Sequence, residues 1–438
     1  MSKNALSKRG KKALKTELRA DLDVFFEASN NVFDIDSNPN GQFPLNMAEN
    51  KLSWPDLRKR IEQAISFKEM PRWVSNYTGM GGSDEFLDSV AHFMSVHLMD
   101  GKIDSDHIRV SAGATAVLEV ASWILCEAGD VVAIPAPSYP VYTQDFGNKS
   151  AIERYDIVTF DNLINNDGLS NLTVKHLKKT KAKIKKSKKR LKLLVLTTPD
   201  NPTGCVYTQE QLEKISEWCI NEKVHLLVNE LYGLSMIHTS HPDIKEDYKK
   251  DIAFSSFAKQ MKGKKSDYLH LCYGLSKDLG ISGFRVGVIH SYNKGFLKAY
   301  VNLNATHLVS NLTQWALSEV LRDDDFMSHY ILKNQARLTS NYATVVRSLK
   351  KHKIPYLPAR GSLFIWIDLS DYMKGSSEKS EHTLWQSIYD NTGVLLTPGT
   401  GFGHKKKGQF RLVVSFLQKD VLKEGLKKMT DFLASRKS

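Results

Sequence analysis

Cysteine is scarce in this sequence, and long apolar runs are missing. The 438 residues include four cysteines, at positions 126, 205, 219 and 272, and no CxxC pair. This spacing argues against a disulfide framework or a zinc site, so we expect four reduced, mostly buried thiols and no metal. The longest clean apolar run, residues 117–125, is far shorter than the roughly 20 residues that a membrane helix needs.

A secretory signal is also missing. Residues 1–23 are basic but contain no apolar segment and no cleavage-like site, so we expect a cytoplasmic protein. Apolar residues make up 41% of the chain and charged residues 25%, which is ordinary globular usage and argues against wholesale disorder. The length predicts two or three domains.

The net charge of +13 is concentrated in one run. Residues 175–192 contain eleven Lys or Arg and no acid. Nucleic acid is one conceivable partner, but the run has no aromatic side chain for base stacking, and the apolar segment LKLLVLTTP overlaps its end. We therefore expect a solvated helix face before a buried strand.

Short apolar segments alternate with helical ones from residue 107 onward. Predicted strands lie at 107–111, 131–135, 191–197, 224–229 and 268–274. Strands that are apolar on both faces and separated by helices indicate a parallel sheet covered on both sides. After about residue 310 long helical segments precede strands at 362–369 and 410–416, and a closing helix spans about 420–436. This change predicts a second, α+β domain.

Chemically useful residues follow several of these strands. In TTPDNPTG (197–204), Asn201 can present an amide at the edge where ligands bind in open α/β sheets. In GLSKDLGISGFRVG (274–287), Lys277 follows a strand end, where a desolvated lysine can be nucleophilic. Arg285 lies in a glycine-flanked turn that suits a phosphate.

Two further strand ends carry ligand-binding signals. SAGATAV (111–117) is a small-residue turn at a helix start, where backbone amides near Gly113 and Ala114 and the Thr115 hydroxyl can approach an anion. PAPSYP (135–140) places Tyr139 where its ring can stack on a planar ligand.

The order of these four motifs resembles the fold-type I enzymes that use pyridoxal 5′-phosphate (PLP), the class I/II aminotransferases. The resemblance extends from about residue 40 to the end of the chain. Within the family, the sequence is most similar to the aminocyclopropane-carboxylate synthases and their aminotransferase-like relatives. The segments that carry this similarity are NMAENKLSW (46–54), YTGMGG (77–82), GATA (113–116), GFRVG (283–287) and GSLFIWIDL (361–369).

The resemblance implies an α/β fold with a mostly parallel seven-stranded sheet covered by helices, plus a smaller α+β domain. Residues 1–70 would form an N-terminal arm and part of the small domain. Residues 71–310 would form the large PLP-binding domain, and residues 311–438 the C-terminal small domain.

The resemblance also assigns roles to residues. Lys277 would form the internal aldimine with PLP and then move the proton of the substrate Cα. Tyr139 would stack on the ring, Tyr232 and Asn201 would lie at its phenolic oxygen, and Asn229 at its nitrogen.

Phosphate and substrate have their own predicted ligands. The phosphate would be held by Gly113, Ala114, Thr115, Ser276 and Arg285. Tyr77 would reach it from a neighbouring subunit, which implies a homodimer with shared active sites. Arg411 would bind the substrate α-carboxylate, because a guanidinium fits a carboxylate in a bidentate manner.

The sequence departs from the family pattern at two positions. Where the family has an aspartate that keeps the ring nitrogen protonated, NELYG places Asn229, and a neutral amide adds no charge there. Where the family commonly has a phosphate-binding serine three residues before the lysine, this chain has Gly274, and Ser276 could substitute for it.

Three functions remain open from the sequence. The first is an aminotransferase acting on an L-α-amino acid. The second is an α,γ-eliminating lyase resembling aminocyclopropane-carboxylate synthase, in which Glu49 would meet a cationic substrate side chain. Glu49 could equally be a loop residue that caps a backbone amide. The third is a non-catalytic protein that binds PLP or a partner.

Overall fold

The computed structural model describes residues 5–14, 20–99, 101–159 and 167–436. Its strands, in chain order, are β1 (Phe43–Pro44), β2 (Ile108–Ala112), β3 (Val131–Ala136), β4 (Glu153–Val158), β5 (Leu191–Thr197), β6 (His225–Asn229), β7 (Leu269–Gly274), β8 (Val286–Ser291), β9 (Tyr356–Leu357), β10 (Phe364–Asp368), β11 (Val394–Leu395), β12 (Thr397–Pro398) and β13 (Gln409–Val413).

The α-helices alternate with these strands. They are α1 (Lys8–Ala13), α2 (Ala20–Asn30), α3 (Trp54–Ser66), α4 (Asp84–Phe93), α5 (Ala114–Leu125), α6 (Tyr142–Gly147), α7 (Val174–Lys186), α8 (Gln209–Asn221), α9 (Phe257–Lys264), α10 (Leu275–Asp278), α11 (Lys294–Leu303), α12 (Asn311–Leu321), α13 (Asp324–Lys351), α14 (Glu378–Thr392) and α15 (Lys419–Ser435). No helix among the described residues is both long and apolar enough to cross a membrane.

The central sheet has seven strands in the order β2-β8-β7-β6-β5-β3-β4. The strands β3 to β7 run parallel, and β8 is antiparallel to both of its neighbours. Apolar side chains of the central strands are buried between helix layers, as expected for a sheet covered on both faces. The predicted α/β fold is confirmed.

A smaller antiparallel sheet, β12-β13-β10-β9, lies in the C-terminal part. Its core includes Phe364, Leu412 and Leu426, and Phe25 and Phe43 from the N-terminal part pack into the same cluster. The N-terminal strand β1 also pairs in parallel with β11. The domain boundaries at residues 70 and 310 stay a prediction.

The basic run forms helix α7 and the turn after it. One face, with Leu177, Thr180 and Ile184, is buried, and most of the lysines are exposed to solvent. The buried strand β5 follows. The predicted solvated helix face before a buried strand is thus present.

Candidate functional site

The carboxyl ends of the parallel strands meet at one cavity of about 360 Å³. Ten of the predicted site residues line it, contributed by segments that follow β2, β3, β5, β6, β7 and by the small sheet. They are Ala114, Thr115, Tyr139, Asn201, Asn229, Tyr232, Ser276, Lys277, Arg285 and Arg411. Because strand ends of a parallel sheet share an edge, residues far apart in sequence converge there.

Lys277 lies on the short helix α10, directly after β7. Its amine donates to the carbonyl oxygen of Ala48 at 2.7 Å and to the Ser282 hydroxyl at 3.4 Å. Burial is the main cause that lowers the pKa of Lys277 to about 8; the charge of Glu49 opposes this shift, and the guanidinium charges of Arg411 and Arg285 add to it. The neutral, nucleophilic amine is therefore accessible near physiological pH.

Arg411, on β13, is 1% exposed and reaches the same cavity from the small sheet. Its Nη1 donates to Asn201 Oδ1 at 2.9 Å, and its Nη2 donates to the Asn46 carbonyl oxygen at 2.6 Å. The guanidinium carbon lies 4.5 Å from the ring centroid of Phe364. These contacts hold a buried cation in place, which suits recognition of a carboxylate.

Asn201 also connects to Tyr232. Its Nδ2 donates to the Tyr232 hydroxyl at 3.4 Å, and both side chains are almost fully buried. Burial raises the pKa of Tyr232 well above its usual value. The Tyr232 hydroxyl is therefore a neutral hydrogen-bond donor in this cavity.

Asn229 ends strand β6 and is 4% exposed. Its Nδ2 donates to the Tyr142 hydroxyl at 2.9 Å, and its Oδ1 accepts from the Leu231 backbone amide at 3.2 Å. The Tyr142 hydroxyl also lies 2.7 Å from Thr197 Oγ1. A fixed, neutral hydrogen-bond network thus occupies the place where the family pattern has an aspartate.

A cradle for an anion lies at the N-terminus of α5. Gly113, with φ of +94°, precedes this helix, and Arg285 Nη2 donates to the Ala112 carbonyl oxygen at 3.2 Å. A Cβ on Gly113 would overlap the Arg285 guanidinium, and one on Gly287 would overlap the backbone at Gly113. Glycine at both positions keeps open a site with free helix amides and one cation, which fits a phosphate.

The position of Gly274 leaves little room for a side chain. A Cβ there would lie 3.0 Å from the Val286 carbonyl oxygen and 2.9 Å from the end of Leu231. Ser276, in contrast, lines the cavity. The arrangement is compatible with Ser276 replacing the usual serine.

Besides Gly113, which precedes α5, two predicted site residues lie outside the cavity wall. Glu49 is near enough to influence the pKa of Lys277, but its carboxylate lies 3.6 Å from Lys51 and is partly exposed. Tyr77 is 93% exposed in the single chain. Neither residue contributes to the wall of this cavity within one subunit.

Sequence reasoning missed several residues of the site. Tyr142 and Asp145 line the cavity from α6, and Asn46 and Thr397 hold Arg411. The spacing of Tyr139, Tyr142 and Asp145 puts them about one helical turn apart, which is a signal that the sequence did contain. The Asn46 contact is made by a backbone carbonyl, so its side chain gave no signal.

Comparison with known proteins identifies the family of this chain. The model of the family described as aminotransferase class I and II matches residues 43–429. The 1-aminocyclopropane-1-carboxylate synthase 7 of Arabidopsis thaliana is 28% identical over 421 residues, which cover 93% of this chain and 90% of the relative. Synthase 5 of the same plant is 30% identical over 429 residues, with coverages of 93% and 86%.

Solved structures share the fold. Aspartate aminotransferase from Thermus thermophilus superimposes with a TM-score of 0.77 at 17% identity, over 97% of this chain and 99% of that one. An archaeal alanine:glyoxylate aminotransferase gives a TM-score of 0.79 at 17% identity, over 98% of both chains. The family match over most of the sequence settles the assignment: this chain belongs to the class I and II aminotransferases and is a PLP-dependent enzyme, an aminotransferase or a related lyase.

Proposed function

We propose that this enzyme acts on an L-α-amino acid, most simply as an aminotransferase. The observation that carries the proposal is the presence, in one cavity, of a lysine whose pKa is lowered to about 8 and a buried arginine held by three acceptors. The first suits covalent attachment of an aldehyde, and the second suits the α-carboxylate of the substrate.

The residues around the cavity divide into those that hold PLP and those that move protons. The α5 N-terminus and Arg285 would hold its phosphate, with Ser276 beside them. Tyr139 would pack on its ring, and Tyr232 would donate to its phenolic oxygen. When bound, PLP withdraws electrons from the amino acid Cα.

Lys277 would then carry the proton. With a pKa of about 8, the free Lys277 amine would be partly neutral near physiological pH and would accept the Cα proton on Nζ. The Ala48 carbonyl oxygen and the Ser282 hydroxyl, which the amine contacts, orient it. Return of this proton to a carbon other than Cα would allow water to release a keto acid, and the reverse sequence with a second keto acid would complete transamination.

The charge of the cavity limits the substrate class. Among the described residues that line it, Arg285 and Arg411 are the arginines. With one assigned to the phosphate and one to the α-carboxylate, this subunit offers no further arginine for a side-chain carboxylate. Leu22, Met47, Val141 and Leu231 supply apolar wall instead. We infer a preference for uncharged side chains over those of aspartate or glutamate.

A second candidate is α,γ-elimination. It is favoured by the similarity to plant aminocyclopropane-carboxylate synthases and by Glu49, whose carboxylate lies close enough to Lys277 to raise its pKa. A carboxylate at that side of the cavity could attract a substrate with a cationic leaving group.

One titration experiment separates these candidates. The PLP-loaded enzyme is mixed with a panel of amino acids, with and without a keto acid, and amino-acid loss and products are measured. Transamination predicts loss that requires the keto acid and releases a new amino acid. Loss of a cationic substrate without keto acid, with release of its leaving group, would support elimination. Lys277→Ala serves as the inactive control. If the wild type turns over no more of any amino acid than this control does, both candidate reactions are contradicted.

We also propose a homodimer with shared sites in the cytoplasm. Tyr77 is 93% exposed, and Phe67 and Met70, which precede it in the sequence, are exposed too; exposed apolar side chains are typical of a surface that a second subunit covers. Mixing Tyr77→Ala subunits with Lys277→Ala subunits should restore activity in one of the two sites of the hybrid. Failure of the mixture to recover activity would contradict sharing of active sites between subunits.

The four cysteines are free and buried, which supports a reducing compartment.

A further inference from the structure

Asp145 is the only carboxylate among the described residues that line the cavity. It lies on helix α6 and is 5% exposed. Its Oδ2 atom is fully buried and has no hydrogen-bond partner among the described residues. Because a buried carboxylate is costly without a partner, the missing partner points to a group that binds in the cavity.

Asp145 lies at the Asn229 end of this cavity. It follows Tyr142, the residue that accepts the hydrogen bond from Asn229, by one helical turn. Burial is the main cause of the raised pKa of the Cys272 thiol, and the Asp145 charge adds to it; Cys272 pairs in register with Asn229. The carboxylate whose charge affects the pKa of Lys277 is Glu49.

The two other buried carboxylates near this strand edge are already satisfied. Glu230 accepts hydrogen bonds from the Ser256 hydroxyl and the Phe257 amide, both at 2.6 Å. Asp278 accepts from the Leu234 amide, the Ser235 hydroxyl and the Tyr273 hydroxyl. Neither lines the cavity. Asp145 is therefore the carboxylate that is available to replace the negative charge missing at residue 229.

We propose that Asp145 supplies the negative charge that Asn229 lacks and thereby stabilises the protonated ring nitrogen of PLP. The inference rests on the proposed cofactor position, with the ring nitrogen at residue 229. Asp145 lines the same cavity and acts through its charge without replacing the Asn229 contact, so it is a positioning residue in this reaction.

The Asp145 carboxylate and the ring nitrogen would each affect the pKa of the other. Burial is the main cause that raises the pKa of Asp145 to about 7, and the Glu119 charge on α5 contributes to the same shift. A cation at the ring nitrogen would favour the ionised carboxylate, and the carboxylate would favour the cation. Glu119 itself is paired with Lys149 at 2.8 Å and with His307 at 3.0 Å, outside the cavity wall.

The protonation state of the ring nitrogen tests the proposal directly. Enzyme is loaded with PLP labelled with ¹⁵N in the ring, and the ¹⁵N chemical shift is measured for the wild type, Asp145→Asn and the control Glu119→Gln. The wild type and the control should give the shift of a protonated nitrogen, and Asp145→Asn should move it toward the unprotonated value. An unchanged shift in Asp145→Asn, with PLP bound, would overturn this inference alone. Absence of bound PLP in the wild type would overturn the proposed function as well.

Two further measurements separate an electrostatic role from a structural one. The double variant Asp145→Asn with Asn229→Asp should return the shift to the wild-type value, and failure to do so would overturn the proposal. In the cofactor-free protein, Asp145→Asn removes a buried, unpartnered charge, so its melting temperature at pH 8 should match or exceed that of the wild type. A clear drop would indicate a structural role and contradict the proposal.

Discussion

Arg411 of the small sheet donates a 2.9 Å hydrogen bond to Asn201, which follows strand β5 of the large sheet. The two residues are 210 positions apart in sequence, and both are almost fully buried. Because Asn201 also contacts Tyr232, the proposed carboxylate site is tied through this pair to the proposed cofactor site. We expect a change at Arg411 to weaken substrate binding.

Arg411→Lys should weaken the binding of every amino acid that the enzyme accepts. A lysine keeps the charge but not the bidentate geometry; full removal of the charged partner, as in Arg411→Ala, costs roughly 2–5 kcal/mol. The cofactor spectrum should stay unchanged. Spectral titration with amino acids measures the effect, and Arg337→Lys, at an arginine paired with Asp56 outside the cavity, is the matched control. Equal affinities in the Arg411 variant and the wild type would place the carboxylate site elsewhere.

Gly113→Ala should weaken PLP binding more than it destabilises the fold. The new Cβ would overlap the Arg285 guanidinium and displace it. Gly129→Ala is the matched control, because Gly129 has a similar φ of +85° but no atom within 4 Å of its added Cβ. Both variants should lose about 1–2 kcal/mol of stability from the positive φ. Only Gly113→Ala should show a higher Kd for PLP, and equal Kd values would argue against a phosphate site there.

Asn229→Asp should speed exchange of the substrate Cα proton with solvent and transamination of generic amino acids. A carboxylate beside the ring nitrogen raises the pKa of that nitrogen and makes PLP a stronger electron acceptor. If Asp145 already supplies part of this charge, the gain is larger in the Asp145→Asn background. Deuterium exchange followed by mass spectrometry measures it. No change in either background would show that residue 229 does not contact the ring.

Attachment of PLP to the cofactor-free enzyme should follow the titration of Lys277. The neutral amine reacts, and burial lowers its pKa from 10.5 to about 8. The attachment rate should therefore rise with pH, reach half its maximum near pH 8 and level off above. Stopped-flow absorbance measures the rate. A rate that still rises between pH 9 and pH 10, as for an exposed lysine, would contradict the lowered pKa.

Long buried strands were predictable from sequence, because their apolar runs are unambiguous. The segment 191–197 coincides with β5, and the segment 224–229 covers β6. The edge strand β4 and the antiparallel strand β8 were not predicted from their own residues. Of these, β4 has an exposed and partly polar pattern, which weakens the apolar signal.

Site residues were predictable where a motif marked them. Lys277, Arg285 and Asn201 belong to short, family-like segments, and the structure brings them to one cavity. Asp145 belongs to no such motif, and its proposed role depends on the residues that surround it in the folded protein. Its burial, and the lack of a partner for its Oδ2 within the part of the chain that the structure describes, become visible only after helix α6 is packed against the sheet.

Reduction of the PLP-loaded enzyme with borohydride, followed by peptide mapping, tests the central claim most directly. The account predicts that the reduced cofactor is found on Lys277, and that Lys277→Ala binds PLP without covalent attachment. A cofactor label on any other lysine, or a Lys277→Ala variant that is still labelled by reduction, would contradict the assignment of this cavity as the active site.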